Sequence, residues 1–351
     1  MSAQRIALPG GGDPSAAARA AALLREGALV VVPTESSYAI AADPAVAAAR
    51  TRLAALPLAT PAVLHVLDPD RAAQRAGLTP RAERLRRRFW PGPLAILRGA
   101  GEPGAVRVPA HQALRQILAG FPEGLWLRDL ENGDGQPLAP GNLPASVTGA
   151  AALLLDAGGT RLRAPTTVVR DHAERLEVVR EGILSAEEIL HAAARHVLFV
   201  CTGNTCRSPL AEALARRAVA RALGVSDDQI EAHGIGFTSA GAGTLPGMPA
   251  SEGSVLAARE AGVDLSRHRT RSLDRGLAGS AQQILCMGRS HRARVLELDP
   301  TLAERTELLD PAGREVSDPF GGSLQEYRDV REQIAAAIAA RLPAFLALAA
   351  S

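Results

Sequence analysis

The chain contains no lysine, so all 39 of its basic residues are arginines. Without an ammonium group, Schiff-base chemistry and the lysine-dependent nucleotide loop G-x-x-x-x-G-K-[ST] are excluded. Aromatic residues are scarce at 3%, which leaves the cores to Ala, Leu and Val. Three cysteines in 351 residues cannot frame a disulfide scaffold, and no Cys/His spacing has the form of a metal site. Each thiol is therefore a core residue or a reactive one, and the chain points to a reducing cytoplasm. Neither sign of charge dominates: a formal net charge of +2 gives no argument by itself for nucleic acid or membrane. Residues 1–14 are polar and Gly-rich, and the first apolar stretch, 20–32, is interrupted by Arg25 and Glu26. Neither a signal peptide nor a membrane span is expected.

What is present is globular and double. The chain is 47% hydrophobic and 22% charged, and at roughly 150 residues per domain its length calls for two cores. A helical pattern over 16–26 leads into a β-type run at 28–32, and similar runs recur at 62–67, 105–108, 151–155, 166–169 and 176–179 between Gly and Pro punctuation. Ser185 and Glu188 have capping-box spacing ahead of a short helix, after which 196–200 reads as a new buried strand. Beyond it, strand signals (197–200, 230–240, 284–287) alternate with helical ones (210–223, 251–261, and a long helix from Leu324). The expectation is α/β in both halves: a mixed α/β domain over 1–192 and a parallel-sheet domain with helices on both faces over 193–351.

The most informative segment is Val197-Leu-Phe-Val-Cys201-Thr202-Gly203-Asn204-Thr205-Cys206-Arg207-Ser208-Pro209, a strand, a seven-residue loop and a helix start. Such a loop aims backbone N–H groups at one point and adds the positive end of the helix dipole, which makes a cradle for a tetrahedral dianion. Gly203 and Asn204 are residue types that accept positive φ, and Pro209 suits a first helical turn. Arg207 offers a planar fork of donors to phosphate oxygens. A thiol in this position is held as the attacking thiolate, and Ser208 can donate a hydrogen bond to its sulfur.

The segment resembles the signature of the low-molecular-weight protein tyrosine phosphatase family. The resemblance covers about 196–350 and continues in Ser239-Ala-Gly, Gly247-Met-Pro-Ala-Ser, Ala261-Gly-Val-Asp-Leu-Ser-Arg-His268-Arg and Ser317-Asp318-Pro319-Phe320. It implies Cys201 as nucleophile, Arg207 as phosphate clamp, residues 202–206 with Ser208 as phosphate-binding loop, and Asp318 as general acid. A helix-capping role is the other reading of Asp318. Thr205, where tyrosine phosphatases carry a bulky aliphatic residue, and Asp318-Pro-Phe-Gly-Gly-Ser look like the YwlE-type protein arginine phosphatases. A hydroxyl can receive a guanidinium that an aliphatic residue would desolvate, and Phe320 can stack on its plane. Thioredoxin-coupled arsenate reductases are similar in this loop, but their resolving pair is incomplete here: seven residues after Cys286 stands Ala293. Cys206 is close enough in sequence to Cys201 for a reversible disulfide, or else it is buried filler.

Residues 15–190 resemble the YrdC-like threonylcarbamoyl-AMP synthase family through Val32-Pro-Thr34-Glu35-Ser-Ser-Tyr38, Phe89-Trp-Pro-Gly-Pro-Leu94, Val106-Arg107-Val-Pro109 with His111, Thr166-Thr-Val-Val169 and Arg180-Glu-Gly-Ile183. A ligand site at Thr34, Tyr38 and Arg107 is implied. Where that family has Lys-x-Arg-Pro and Ser-x-Asn, however, this chain has Ala54-Ala55-Leu56-Pro57 and Pro140-Gly141-Asn142-Leu143. Arg50 and Arg52 are candidate substitutes, and Arg84, Arg86, Arg87 and Arg88 form either an RNA-facing patch or a solvated helix face. The domain reads as a degenerate, YciO-type member with at most weak nucleotide or RNA binding.

The expectation is a cytoplasmic cysteine-dependent phosphatase working through phosphocysteine, without cofactor or metal, on phosphorylated proteins: phosphoarginine first, phosphotyrosine otherwise. The alternative is a threonylcarbamoyladenosine-related nucleotide- or RNA-binding protein, or a synthase, with an accessory phosphatase domain.

Overall fold

The computed structural model describes residues 3–98 and 104–351. The chain divides into two compact units, Met1–Ala193 and Ala194–Ser351. The N-terminal unit carries a ten-stranded mixed sheet made of β1 (Gln4–Ala7), β2 (Leu29–Pro33), β3 (Tyr38–Ala42), β4 (Val63–His65), β5 (Leu94–Leu97), β6 (Ala105–Arg107), β7 (Leu125–Asp129), β8 (Ala151–Asp156), β9 (Thr167–Asp171) and β10 (Leu176–Arg180). Their spatial order is β1-β8-β2-β3-β7-β4-β6-β5-β9-β10. Its helices are α1 (Pro14–Arg25), α2 (Ala47–Ala54), α3 (Pro69–Ala76), α4 (Pro80–Phe89), α5 (Gln112–Leu118), α6 (Ala145–Ala150) and α7 (Ala186–Ala193).

All five residues of β2 are buried, because both faces of the sheet are covered there. Val30 and Val32 pack with α1 and α5, while Leu29 and Val31 pack with Ala49 and Leu53 of α2, as the two-residue period of a strand requires. Four strands of this unit lie outside the runs read from sequence: β1, β3, β5 and β7. The polar β1 has no apolar signal and is held by parallel pairing to β8, and β3 is mostly alanine, a poor strand former that pairing on both edges keeps extended.

The C-terminal unit holds a four-stranded parallel sheet in the order β12-β11-β13-β14, from β11 (Arg195–Cys201), β12 (Ile235–Gly241), β13 (Gln283–Cys286) and β14 (Thr306–Leu308). One face is covered by α8 (Arg207–Leu223), α9 (Glu252–Glu260) and α12 (Leu324–Ala350), the other by α10 (Arg275–Ser280) and α11 (Arg289–Leu298). Three of this unit's five aromatic residues meet in its core. Phe199 stacks on Phe237 at 5.9 Å, and Phe237 meets Phe345 edge-on at 5.2 Å. The segment 230–240 is not one strand: 230–233 forms a 3-10 turn, and Gly234 at φ 95° delays the strand to Ile235.

By length and composition alone, α12 is apolar enough to cross a membrane. One stripe of it is packed inside the unit. Val330, Ile334, Ile338 and Phe345 are buried in the core shared with α8. Arg341, also buried, pairs with Glu307 at 2.9 Å and donates to the Leu309 carbonyl.

Candidate functional site

Cys201 ends the strand β11, which has β12 on one side and β13 on the other, so the loop that follows opens at the carboxyl edge of the sheet. Residues 202–206 turn the chain directly into α8. Positive φ falls on Asn204 alone in this loop, at 52°. Gly203 does not need it and serves by its size, since a Cβ there would lie 3.3 Å from Thr205 Oγ1.

Asn204 is buried and fully engaged. Its Nδ2 donates to Ser208 Oγ and Ser239 Oγ, both at 2.9 Å, its Oδ1 accepts from Arg271 N at 2.8 Å, and its carbonyl accepts from His268 Nε2 at 2.7 Å. Ser239 in turn donates to Glu212 at 2.7 Å. The Cys201 sulfur lies 3.2 Å from Asn204 N and 3.0 Å from Ser208 Oγ. Because Ser208 Oγ already accepts from Asn204, its proton goes to the sulfur or to the Ala240 carbonyl, the latter at 3.5 Å. Burial, together with Arg271 and Arg269, holds His268 below its ordinary pKa.

Arg207 is buried. Nη2 donates to Asp318 Oδ2 at 2.5 Å, Nη1 to the Val316 carbonyl at 3.3 Å, and Nε is left without a partner. Val316 N bonds Met287 O just past β13, which brings the Asp-Pro loop to the same edge as Cys201. Asp318 is half-exposed, and its Oδ1 accepts from Phe320 N at 3.3 Å. It does not cap α12; Ser323 does, in a reciprocal capping box with Glu326. Phe320 stands open to solvent, 77% exposed.

Thr202 is exposed and shares a 2.9 Å hydrogen bond with His291. The Thr205 carbonyl accepts from Ser251 N, and its hydroxyl lies 3.5 Å from Cys206 Sγ. Cys206 is buried, with its sulfur 3.2 Å from Ser251 Oγ and 3.8 Å from Tyr327 Oη. Cys286 is also buried, and burial pushes its thiol up to about 12, which disfavours the thiolate a resolving cysteine must supply. Sequence reasoning gave no role to Ser239, Glu212, His268 or His291. Glu212 follows Ser208 by one helical turn, a usable signal; the other three come from distant segments.

In the N-terminal unit, Thr34 and Tyr38 line a cavity of about 380 Å³ with Glu35, His111 and Arg161. Arg107 is not on that wall. It is buried, donating to Glu35 at 2.7 Å, Thr166 Oγ1 at 2.6 Å, Ser36 Oγ at 3.0 Å and the Gly92 carbonyl at 3.1 Å. Burial alone would raise the Glu35 carboxyl, but Arg107 and the Ala110 amide bring it below its ordinary range. Thr34 Oγ1 closes its own turn with the Ser36 and Ser37 amides, and Tyr38 Oη bonds Gly158 O and Ala157 N.

The segment around 54–57 is held by Arg128, which donates to the carbonyls of Leu53, Leu56, Leu58 and Thr60. Arg50 donates to Pro44 O, and Arg52 to Gly27 O and Ala48 O. The arginines of α4 do not form one face: Arg84 bonds the Ala193 carbonyl and Arg86 pairs with Glu83 and Asp70, while Arg87 and Arg88 are exposed.

Residues 196–347 match the family model of the low molecular weight phosphotyrosine protein phosphatases, and residues 22–182 match the Sua5/YciO/YrdC model, described as telomere recombination. The chain is 30% identical over 153 residues to a probable low molecular weight protein-tyrosine-phosphatase EpsP of Ralstonia solanacearum, across 43% of this chain and 97% of that protein. It is 30% identical over 142 residues to a protein-arginine-phosphatase of Geobacillus stearothermophilus, across 39% of this chain and 87% of that protein. Its N-terminal half is 30% identical over 187 residues to a threonylcarbamoyl-AMP synthase of Pyrococcus abyssi, across 48% of this chain but only 55% of that enzyme. The strand, loop and helix at Cys201 thus lie within a region that belongs to the low molecular weight protein-tyrosine-phosphatase family, in a chain that also carries a YrdC-like domain.

Proposed function

We propose that the C-terminal unit hydrolyses phosphoarginine in proteins through a phosphocysteine intermediate. The Cys201 thiolate attacks phosphorus, and the P–N bond to the guanidinium breaks as Asp318 delivers a proton to the leaving nitrogen. Asp318, now a carboxylate, takes a proton from water. The water oxygen attacks phosphorus, the P–S bond breaks, and inorganic phosphate leaves with the thiolate restored. Arg207 and the amides of 202–206 hold the equatorial oxygens throughout.

The observation that carries this reading is the convergence of the Cys201 sulfur with its two hydrogen-bonding neighbours, Asn204 and Ser208, at the sheet edge shared with the Arg207–Asp318 pair. Thr205 in the loop and the open ring of Phe320 beside Asp318 support arginine over tyrosine, since a phosphoguanidinium brings polar N–H groups and a flat face. The test is steady-state kinetics of the whole chain on phosphoarginine and phosphotyrosine peptides side by side. We expect the higher kcat/KM on phosphoarginine; a tenfold preference for phosphotyrosine would overturn the arginine assignment.

The N-terminal unit we read as lacking synthase activity, because neutral Ala54 and Leu56 stand where nucleotide charge would need cations. Arg128, Arg50 and Arg52 all donate to backbone carbonyls instead. The cavity at Thr34 and Tyr38 favours the second reading, a nucleotide-binding role. Calorimetric titration of the chain with ATP and threonine separates the two: we expect no saturable heat, and saturation by both ligands would establish the binding role.

A further inference from the structure

A groove of about 390 Å³ lies on the C-terminal unit beside the start of α8. Its lining includes four guanidinium-bearing residues, Arg216, Arg267, Arg269 and Arg271, against two carboxylates, Glu212 and Asp264. Residues 267, 269 and 271 are exposed, while His268 and Thr270 between them turn inward. Among the described residues, neither Arg267 nor Arg271 donates a side-chain hydrogen bond. Glu212 is committed to Ser239 at 2.7 Å, and Asp264 accepts from Ser266 N and Oγ at 2.8 and 2.9 Å. Neither of these two arginines forms a close ion pair among the described residues; Arg267 faces Asp264, whose carboxyl it helps the Ser266 hydrogen bonds to lower, and both side chains keep planar forks that match phosphate oxygens.

We propose that this groove is a second oxyanion site, separate from the Cys201 loop, that takes a compact phosphate-class ligand of at least two negative charges such as a pyrophosphate group. The site is wired to the loop. His268 Nε2 donates to Asn204 O at 2.7 Å, Arg271 N donates to Asn204 Oδ1 at 2.8 Å, and Asn204 N faces the Cys201 sulfur at 3.2 Å. A bound dianion offsets Arg269 and Arg271, the cations that oppose a proton on His268, and adds to the attraction of Glu212. Occupancy therefore favours the protonated imidazole that donates to Asn204.

The test is calorimetric titration of the full-length Arg207→Ala chain, whose Cys201 loop has lost its clamp, with pyrophosphate. We expect one saturable site that weakens with added salt and weakens at least tenfold in Arg267→Gln/Arg271→Gln. It should bind pyrophosphate more tightly than orthophosphate and be unchanged by Arg294→Ala, an exposed arginine paired with Glu297 on α11. In the unsubstituted chain the expected stoichiometry is one site higher than in the double variant, which keeps the test alive if Arg207→Ala fails to fold. By NMR, pyrophosphate should move the His268 titration upward, and not in the double variant. Absence of binding, binding indifferent to the double substitution, or equal loss in Arg294→Ala would overturn the proposal. None of these outcomes bears on which phosphoamino acid the Cys201 loop hydrolyses.

Discussion

At Cys201 the sulfur has a backbone amide at 3.2 Å and a serine hydroxyl at 3.0 Å. A serine in its place keeps the same donors, but a few kcal/mol from them, at about 1.4 kcal/mol per pKa unit, cannot ionise a hydroxyl, which is a far weaker acid than a thiol. Cys201→Ser is expected to reduce hydrolysis of any phosphate ester or phosphoramidate to background, and residual activity within tenfold would remove Cys201 as nucleophile. Asp318 pairs with Arg207 at 2.5 Å, and the proposed reaction assigns it the proton for the leaving group. For Asp318→Asn we expect near-normal binding of a phosphate analogue and a first chemical step slower by about 10² to 10⁴ in single-turnover kinetics. A rise in KM alone would make it a positioning residue. Thr205→Ile removes a hydroxyl and adds apolar volume beside the cradle. The ratio of phosphoarginine to phosphotyrosine kcat/KM should then fall by about ten- to a hundredfold, the effect of roughly 1 to 3 kcal/mol from an unpaired polar group.

At the scale of elements, α12 fixes both the core and the approach to the site. Its N-terminus is set by Ser323, whose hydroxyl caps the Glu326 amide while Glu326 reaches back to Ser323 N at 2.6 Å. Ser323→Ala should lower the stability of the C-terminal unit by about 1 kcal/mol, read as a shift in its thermal transition. One turn in, Tyr327 packs over Gly253 of α9 so closely that a Cβ there would sit 2.5 Å from the ring. That approach seats the tyrosine hydroxyl near Cys206. The Ser185 hydroxyl takes the Glu188 amide at 3.2 Å at the start of α7, as its spacing led us to expect. The membrane-like composition of α12 from Gln333 onward shows the limit of such reading, for Arg341 is the one charged residue in that stretch.

At the scale of the molecule, the two units can be followed separately because both tryptophans, Trp90 and Trp126, lie in the N-terminal one. That unit also buries His65, with Nδ1 bonded to the Val63 carbonyl at 3.1 Å and Nε2 without a partner. Burial, with Arg107 adding to it, pulls His65 from 6.5 to about 4. Between those values the unfolded chain binds the proton and the native chain does not, so stability is full above about pH 6.5 and is lost as the pH falls toward 4. The ceiling is about 3 kcal/mol at 1.4 kcal/mol per unit. Urea unfolding followed by tryptophan fluorescence should show this slope, and His65→Gln, which keeps a donor for Val63 O, should flatten it.

The sequence by itself determined the two α/β halves, the parallel sheet with helices on both faces, the strand, loop and helix at Cys201, and the family to which that loop belongs, because these features are local: apolar periodicity, turn residues and a motif contiguous from Val197 to Pro209. Tertiary structure alone decided what meets what. It brought Ser239, His268 and Arg271 onto Asn204 and set Asp318 against Arg207 across 111 residues. It also buried Arg107 behind Glu35 and bound Arg128 to backbone carbonyls. Whether an arginine offers its charge to a ligand or to its own chain depends on which carbonyls and carboxylates the folded backbone places within 3 Å of it, and in a chain whose every cation is arginine no sequence pattern separates the two.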